Sequence, residues 1–277
     1  MTKLKLATRW LAGLLVVVGV GLAAFVYSGV YDVAATSQHT LPVYGLLEAV
    51  TRRSVVTHAR AIEVPPLTSP ALAERGFRLY DQHCVQCHGA PGVAPAPFAL
   101  GLLPAPANLP ATAREWTPAE VFWTVKHGLK MTGMPAWKFR LPEEDIWAIV
   151  AFVRQLPTIA PLEYQALRRL AAPLAPPTPE SIATEVDSER GRQALLQYMC
   201  LTCHEIPGVI GVQAHVGPPL DRIGTRAFIA GVIPNTPENM IRWLRNPHAI
   251  DPRTAMPDLY VTERDARDIA AYLHTLR

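Results

Sequence analysis

Cys84-Val85-Gln86-Cys87-His88 and Cys200-Leu201-Thr202-Cys203-His204 are two copies of one pattern, C-x-x-C-H. This pattern is the attachment signature of c-type haem. Two thiols three positions apart lie on one helical turn, so each can form a thioether with a haem vinyl group. The imidazole that follows can then bind the iron. We therefore predict two covalently bound haem c groups, held by Cys84, Cys87, His88, Cys200, Cys203 and His204.

Cysteine pairs of this kind also occur in zinc sites and in thioredoxin-type redox proteins. A zinc site would have to bring both pairs together, yet each pair here has its own histidine and its own downstream sequence. A thioredoxin motif needs a βαβ context, and neither pair has one. The chain has four cysteines, all in these motifs, so none remains for a disulfide.

Length and charge narrow the possibilities further. With 277 residues, the chain has room for two domains of ordinary size. The formal net charge is +3, and each oxidised haem c would add about one negative charge, so the loaded protein would be near neutral. This balance argues against nucleic acid as a partner.

The N-terminal region, residues 1–36, predicts a membrane anchor. Lys3, Lys5 and Arg9 precede an uncharged run over residues 10–31, which is long enough to cross a bilayer as a helix. A cleaved signal peptide is the alternative, with a candidate cleavage site at Val33-Ala34-Ala35. The run is longer than a usual signal-peptide core, which favours a single uncleaved span. The basic flank would stay in the cytoplasm of a bacterium and place the rest of the chain in the periplasm.

Residues 37–68 form a connecting segment. Val43, Leu46, Leu47 and Val50 have helical spacing, and basic residues follow them. The segment could be an amphipathic helix on the membrane surface or on a partner subunit. It could equally be a connecting helix packed on the first haem domain, and the sequence does not decide between them.

The rest of the chain reads as a repeated domain. The first copy, residues 69–157, opens with a helix over 70–80 and closes with one over 142–153, which has acidic residues in its first turn. A proline-rich linker follows over residues 158–185. The second copy, residues 186–277, closes with a helix for which Thr262 is the predicted N-cap. Neither copy has a strong strand signal, so we predict an all-α fold.

Each copy resembles a class I cytochrome c domain, and the pair is similar to the membrane-anchored dihaem cytochromes represented by subunit III of cbb3-type oxidases. The resemblance covers about residues 69–277. It implies that the first and last helices of each domain cross near a glycine, here Gly76 and Gly191. It also implies a methionine as the sixth iron ligand, supplied by a loop before the last helix.

The resemblance points to Met134 and Met256 as these ligands, because each is followed by proline in a setting like the family's ligand loop. They lie 50 residues after Cys84 and 56 residues after Cys200, respectively. Met131 is the competing methionine in the first copy. His127, His215 and His248 are less favoured ligands, because a lone histidine is more often a surface or core residue.

The resemblance further implies that a proline carbonyl accepts a hydrogen bond from each proximal imidazole. Residues 217–220, Gly-Pro-Pro-Leu, would supply that carbonyl to His204. In the first copy, Pro104 or Pro106 could do so for His88.

A His/Met pair fills both axial positions of the iron and leaves no place for a substrate. We therefore expect an electron-transfer protein, or a subunit of an oxidoreductase complex, with no catalytic residue of its own. It would take electrons from a dehydrogenase or a quinol-oxidising complex of a respiratory chain and pass them to a soluble cytochrome or a terminal oxidase. The alternative is a dihaem enzyme, a peroxidase or a haem dehydrogenase, in which one distal site is open.

Overall fold

The computed structural model describes residues 2–171, 185–211 and 214–277, with side chains from residue 5 onward. Its first eight α-helices are α1 (Thr2–Ser28), α2 (Leu41–Ala59), α3 (Pro70–His83), α4 (Val85–His88), α5 (Leu109–Glu115), α6 (Pro118–His127), α7 (Glu143–Val153) and α8 (Pro161–Leu170). The later ones are α9 (Ser188–Gln197), α10 (Pro237–Arg245) and α11 (Glu263–Thr275). Short 3-10 helices span Pro97–Gly101, Cys200–Thr202, Ile223–Thr225 and Pro247–Ala249.

The all-α prediction is confirmed, with one small addition. Strands β1 (Phe228–Ile229) and β2 (Ile233–Pro234) form an antiparallel hairpin in which Ile229 pairs with Ile233. The turn between them has positive φ at Ala230 (49°) and Gly231 (76°), the backbone that tight hairpins require. The sequence did not indicate this hairpin because two-residue strands leave no alternating pattern to detect.

Helix α1 is a candidate membrane span. Its segment Lys5–Ser28 has a mean hydropathy of 2.3, and none of it is buried against the rest of the chain. The segment is long enough to cross the hydrocarbon core of a bilayer.

In the first helical unit, α3 packs across α7. Ser69 caps α3, because its hydroxyl accepts a hydrogen bond from the backbone N–H of Leu72 (3.5 Å). A Cβ at position 76 would overlap the carbonyl oxygen of Ala148, so Gly76 is what allows the two backbones to approach. Their contact centres a core of large apolar side chains that includes Phe77, Tyr80, Ile146, Ile149, Phe152 and Leu156.

The second unit repeats this crossing with α9 and α11. A Cβ at position 191 would overlap the carbonyl oxygen of Asp268, so Gly191 occupies the same kind of position as Gly76. Thr262 caps α11 as predicted, accepting a hydrogen bond from the N–H of Asp265 (3.2 Å). A separate core forms around the crossing, from Leu195, Tyr198, Met240, Trp243, Ile269 and Leu273 among others.

An ion pair with a buried aspartate accompanies each crossing. Arg75 of α3 pairs with Asp145 of α7, and Arg190 of α9 pairs with Asp268 of α11 through Nη2 and Oδ1 at 2.8 Å. Both aspartates are almost fully buried. Each arginine directly precedes the crossing glycine, so the repeated Glu-Arg-Gly sequence has a repeated structural role.

Two further helices pack on the first unit. The C-terminal half of α2 buries Val55 and Ala59, and Arg52 forms an ion pair with Glu120 of α6 (2.9 Å). Helix α8 buries Tyr164, whose hydroxyl donates to Asp81 (3.0 Å). The start of the predicted linker is therefore a helix attached to the first unit. The rest of that linker, residues 172–184, lies outside the described residues.

Candidate haem-binding sites

The first C-x-x-C-H motif forms the turn that joins α3 to α4. The N–H of Cys84 donates to the carbonyl of Tyr80 (2.8 Å), and the N–H of His88 donates to the carbonyl of Cys84 (2.9 Å). The Tyr80 hydroxyl closes this turn by donating to the carbonyl of Gly89 (2.6 Å). Cys84, Cys87 and His88 therefore share one rigid turn at the edge of the first core.

The imidazole of His88 is oriented by a backbone carbonyl. Its Nδ1 lies 2.9 Å from the oxygen of Ala107, and because a carbonyl only accepts, Nδ1 must carry the proton. Nε2 is then left with a free lone pair, the form that binds iron. Burial lowers the pKa of His88, although the bond to Ala107 acts in the opposite direction, so the neutral ring is favoured. The expected acceptor, Pro104 or Pro106, was wrong by one to three positions.

The second motif forms a 3-10 helix, which is wound more tightly than the α-helix of the first motif. Met199 adopts a left-handed conformation (φ 57°), and a 3-10 helix over Cys200–Thr202 follows it. The N–H groups of Cys203 and His204 both donate to the carbonyl of Cys200, at 3.3 and 3.0 Å. Both cysteines and the histidine are again brought onto one turn.

His204 has the contact that the resemblance implies. Its Nδ1 donates to the carbonyl of Pro218 (2.8 Å), which leaves Nε2 free in the same way as in His88. Gly217 lies against the ring, and a Cβ at that position would overlap the imidazole. The Gly-Pro pair thus places an acceptor beside His204 and leaves room for its ring.

Burial raises the pKa of two of the four thiols. The pKa of Cys84 rises to about 12 and that of Cys200 to about 11, in each case chiefly through desolvation. Such thiols stay protonated at neutral pH and are not activated nucleophiles. All four cysteines are free of disulfides, so all four are available for thioether bonds.

Met134 lies in a constrained loop against the first core. Its N–H donates to Thr132 Oγ1 (3.1 Å), and its carbonyl accepts from the N–H of Leu129 (3.2 Å). Met131 differs, because it is 98% exposed with a left-handed backbone (φ 58°). Of the two methionines, only Met134 faces the core that contains the first motif.

Met256 repeats this arrangement in the second unit. Its N–H donates to Thr254 Oγ1 (3.2 Å), so both methionine loops use a threonine two residues upstream. Met256 also packs on the second core, where Trp243 Nε1 donates to its sulfur (3.1 Å). Within residues 5–171 we find no hydrogen bond to the sulfur of Met134, so the two methionines differ in this contact.

The competing ligands lie elsewhere. Side chains of His127, His215 and His248 are on the surface. A further methionine of the second unit, Met240, is buried within α10 as a core residue. Trp123 stacks on His58 of α2 with ring centroids 5.2 Å apart.

These residues fit haem c better than a bare metal ion. In the described part of the chain, no group of three or more His, Cys, Asp or Glu residues lies close enough to hold one. Each core instead offers two free cysteines, one histidine with a free Nε2 and one loop methionine. Cys84, Cys87, His88 and Met134 would hold the first haem, and Cys200, Cys203, His204 and Met256 the second.

The sequence did not indicate a contact between the two units. Phe139, in the loop between Met134 and α7, is 8% exposed and packs within the second core. The Arg140 guanidinium lies over the Tyr198 ring, 4.2 Å from its centroid. Lys138 Nζ donates to Gln193 Oε1 (3.1 Å). No local pattern distinguishes Phe139 from a core residue of its own domain.

Comparison with known proteins agrees with a duplication of the haem-binding unit. Residues 71–153 match the family model described as cytochrome c oxidase, cbb3-type, subunit III, and residues 188–277 match the cytochrome c model. The chain is also similar to cytochrome c oxidase subunit 2 of Alkalihalophilus pseudofirmus, 34% identical over 95 residues, which are 34% of this chain and 27% of the relative.

A second relative is cytochrome c oxidase subunit 2 of Bacillus sp. strain PS3, 28% identical over 100 residues, which are 35% of this chain and 28% of the relative. The match thus spans little more than a quarter of either relative's length. No solved structure matches the chain significantly. The two family matches fall on the two helical units, each with its own C-x-x-C-H turn and core. The chain is therefore an electron-transfer haem protein with two cytochrome c domains, of which the first matches the cbb3-type subunit III model.

Proposed function

We propose that this chain is a membrane-anchored dihaem cytochrome c that relays single electrons on the periplasmic side of a bacterial inner membrane. Its donor would be a dehydrogenase or a quinol-oxidising complex, and its acceptor a soluble cytochrome or a terminal oxidase. The names of the two relatives, which are oxidase subunits, support an oxidase as acceptor.

One observation carries the proposal, namely that the same set of contacts occurs twice. In each domain a C-x-x-C-H turn presents a histidine whose Nδ1 donates to a backbone carbonyl. In each, a threonine holds the backbone of a methionine that packs on the same core. A catalytic haem needs an open axial position on the iron. Each domain here instead offers a histidine and a methionine that would fill both axial positions.

When bound, haem c supplies a one-electron iron couple, and a methionine ligand raises its potential relative to two histidines. Residues of the chain itself orient the iron ligands and hold the two domains together. The carbonyls of Ala107 and Pro218 fix the two imidazoles and increase their basicity. The contacts of Phe139 and Arg140 keep the two domains close together, as transfer between two centres requires.

The membrane part of the proposal rests on α1. Its apolar segment Lys5–Ser28 is unburied, and basic residues at positions 3, 5 and 9 lie at its start. By the positive-inside rule, the start of α1 would be cytoplasmic and both cytochrome c domains would be periplasmic. Haem c attachment outside the bacterial cytoplasm agrees with this orientation.

The proposal is tested by a haem-to-protein ratio together with carbon monoxide titration of the reduced, purified protein. We expect two haems per chain and no change in the absorption spectrum with carbon monoxide, because Met134 and Met256 would occupy both distal positions. A shift on one haem would show an open distal site and favour the dihaem peroxidase or dehydrogenase alternative. A haem-to-protein ratio of one would rule out an electron relay between two haems in this chain.

A further inference from the structure

Helix α2 has two halves that differ in burial. The half that begins at Arg52 packs on the first cytochrome c domain, where Val55 is 0% and Ala59 4% exposed. No residue of the other half, residues 41–50, is buried. This half nevertheless carries large apolar side chains with exposed fractions from 49% to 86%, namely Leu41, Tyr44, Leu46, Leu47 and Val50. We call residues 41–50 the exposed half of α2.

Three of these exposed apolar side chains point away from the domain. An α-helix turns by about 100° per residue, so Leu46, Leu47 and Val50 centre on one face of α2. Val55 and Ala59, which contact the domain, fall on the opposite face. The helix is thus attached to the domain by one face and presents an apolar stripe on the other.

Such a stripe needs a partner. Isolated exposed apolar residues are ordinary, but a continuous exposed patch of them marks a binding surface. Glu48 is the one acidic residue of the exposed half and lies on the other face, and exposed Arg53 follows directly. With Glu48 turned away from them, Leu46, Leu47 and Val50 form an uncharged apolar surface of the kind that can enter a lipid interface.

The position of α2 in the chain identifies the partner. The link from α1 to α2, residues 29–40, spans at most about 40 Å when fully extended. It is shortened by local contacts, because Tyr31 Oη hydrogen-bonds His39 Nδ1 (2.6 Å) and the N–H of Ser37 donates to the carbonyl of Ala34 (3.0 Å). The exposed half therefore begins close to the end of the candidate membrane span. The surface within reach of that end is the bilayer itself.

We propose that the exposed half of α2 lies in the headgroup region of the membrane, with Leu46, Leu47 and Val50 directed toward the acyl chains. This inference rests on the proposed anchoring by α1. Because the other half of α2 is attached to the first cytochrome c domain, that domain is held at the lipid surface. The first haem, rather than the second, is then the one nearer to membrane-bound redox partners.

The test uses single cysteines in the full-length holoprotein, reconstituted in nanodiscs of phosphatidylethanolamine and phosphatidylglycerol. The four native thiols are used in haem attachment, so an introduced cysteine takes the nitroxide label alone. Leu46→Cys samples the stripe. Glu48→Cys is the matched control on the opposite face of the same helix, and Val17→Cys reports on α1.

Power saturation compares collisions of each nitroxide with oxygen, which concentrates in lipid, and with a water-soluble nickel chelate. For the label at position 46 we expect an oxygen-to-nickel accessibility ratio at least threefold higher than for the label at position 48. The label at position 17 should give the highest ratio. Equal, water-like accessibility ratios at positions 46 and 48, with a lipid-like ratio at position 17, would overturn the inference. They would still support membrane anchoring by α1.

Two other outcomes would also contradict the inference. Spin–spin broadening at position 46, lost when labelled protein is diluted with unlabelled protein, would show that a second copy covers the stripe, and would overturn the lipid assignment. A water-like value at position 17 would refute the anchor itself, and the inference with it. Haem content and the carbon monoxide result are independent of both outcomes, so the electron-relay proposal is tested separately.

Discussion

Arg140 of the first cytochrome c domain lies over the ring of Tyr198 in the second, 4.2 Å from its centroid. Arg140 follows the methionine loop of the first site, and Tyr198 comes two residues before Cys200 of the second. Tyr198 is itself fixed, because its hydroxyl donates to buried Asp265 (2.7 Å). This pair, with Phe139 next to it, links the segment that follows the Met134 loop of one site to the C-x-x-C-H turn of the other.

Phe139→Ala should release the two domains from one another. A buried phenylalanine truncated to alanine costs about 3 kcal/mol, enough to shift a docked–undocked equilibrium by more than about a hundredfold. We expect small-angle X-ray scattering of the detergent-solubilised protein to show a larger maximum dimension. Phe98→Ala, at a 59% exposed position of the first domain, should leave the scattering curve unchanged. If both variants scatter like the wild type, Phe139 does not hold the domains together.

Trp243→Phe should lower the reduction potential of the second haem alone. The indole N–H donates to the sulfur of Met256. With Met256 as the predicted iron ligand, this hydrogen bond would weaken the thioether as an electron donor to ferric iron and so favour the ferrous state. A hydrogen bond of this kind is worth about 1 kcal/mol, which corresponds to a few tens of millivolts for a one-electron couple. Spectroelectrochemical titration of both haems measures this change.

Met240→Leu is the control for packing around Trp243, because Met240 is buried on the same helix and core. We expect Met240→Leu to change the stability of the second domain more than it changes the reduction potential of the second haem. Should Met240→Leu lower the potential as much as Trp243→Phe does, a general loosening of the core would explain both. The potential of the first haem should stay constant in both variants, since its methionine belongs to another core.

Gly191→Ala should unfold or strongly destabilise the second domain. A Cβ at this position would overlap the carbonyl of Asp268, and backbone atoms of a packed helix cannot move aside cheaply. We expect a loss of about 3 kcal/mol in the free energy of unfolding, at the upper end of overpacking costs. Denaturant unfolding followed by circular dichroism measures it. Gly101→Ala, which has open space around its Cα, should be neutral, and equal stability of the two variants would contradict the crossing geometry.

The parts of the fold that could be predicted from sequence are those set by local chemistry. The C-x-x-C-H turns, the Thr262 cap and the acidic first turn of α7 are local signals, and the structure has these turns and helix ends where the sequence places them. The crossing glycines followed from the family resemblance, and both domains show them. The iron ligation by Met134 and Met256 remains a prediction.

What could not be predicted depends on residues far apart in the chain. Phe139 has the composition of a core residue and gives no sign that its core belongs to the other domain. The acceptor for His88 is a backbone carbonyl at Ala107, and every residue has one, so its identity depends on the path of the loop. The two alternatives for α2 could not be separated from sequence, because the attached and the exposed faces are both apolar.

Attachment of α2 to the first domain should weaken in acid, through Glu120. Burial would raise the pKa of this carboxyl, but hydrogen bonds from Arg52 and from the N–H of Thr117 outweigh burial and hold the pKa below its ordinary value of 4.5. Between the lowered pKa and 4.5, the unfolded chain binds more protons than the folded one. The contribution of Glu120 to stability is therefore present above about pH 4.5 and is lost as the pH falls through the lowered pKa.

Glu120→Gln should accordingly cost stability at neutral pH and little in acid. At pH 7 we expect a loss of about 2 kcal/mol, the value of hydrogen bonds to a charged group. Thermal unfolding between pH 7 and pH 3.5 should show the melting temperatures of variant and wild type converging as the carboxyl becomes protonated. Glu144→Gln, at an exposed position in α7, should follow the wild type throughout. A gap between Glu120→Gln and wild type that stays constant over this range would mean that shape, rather than the charge paired with Arg52, holds α2 in place.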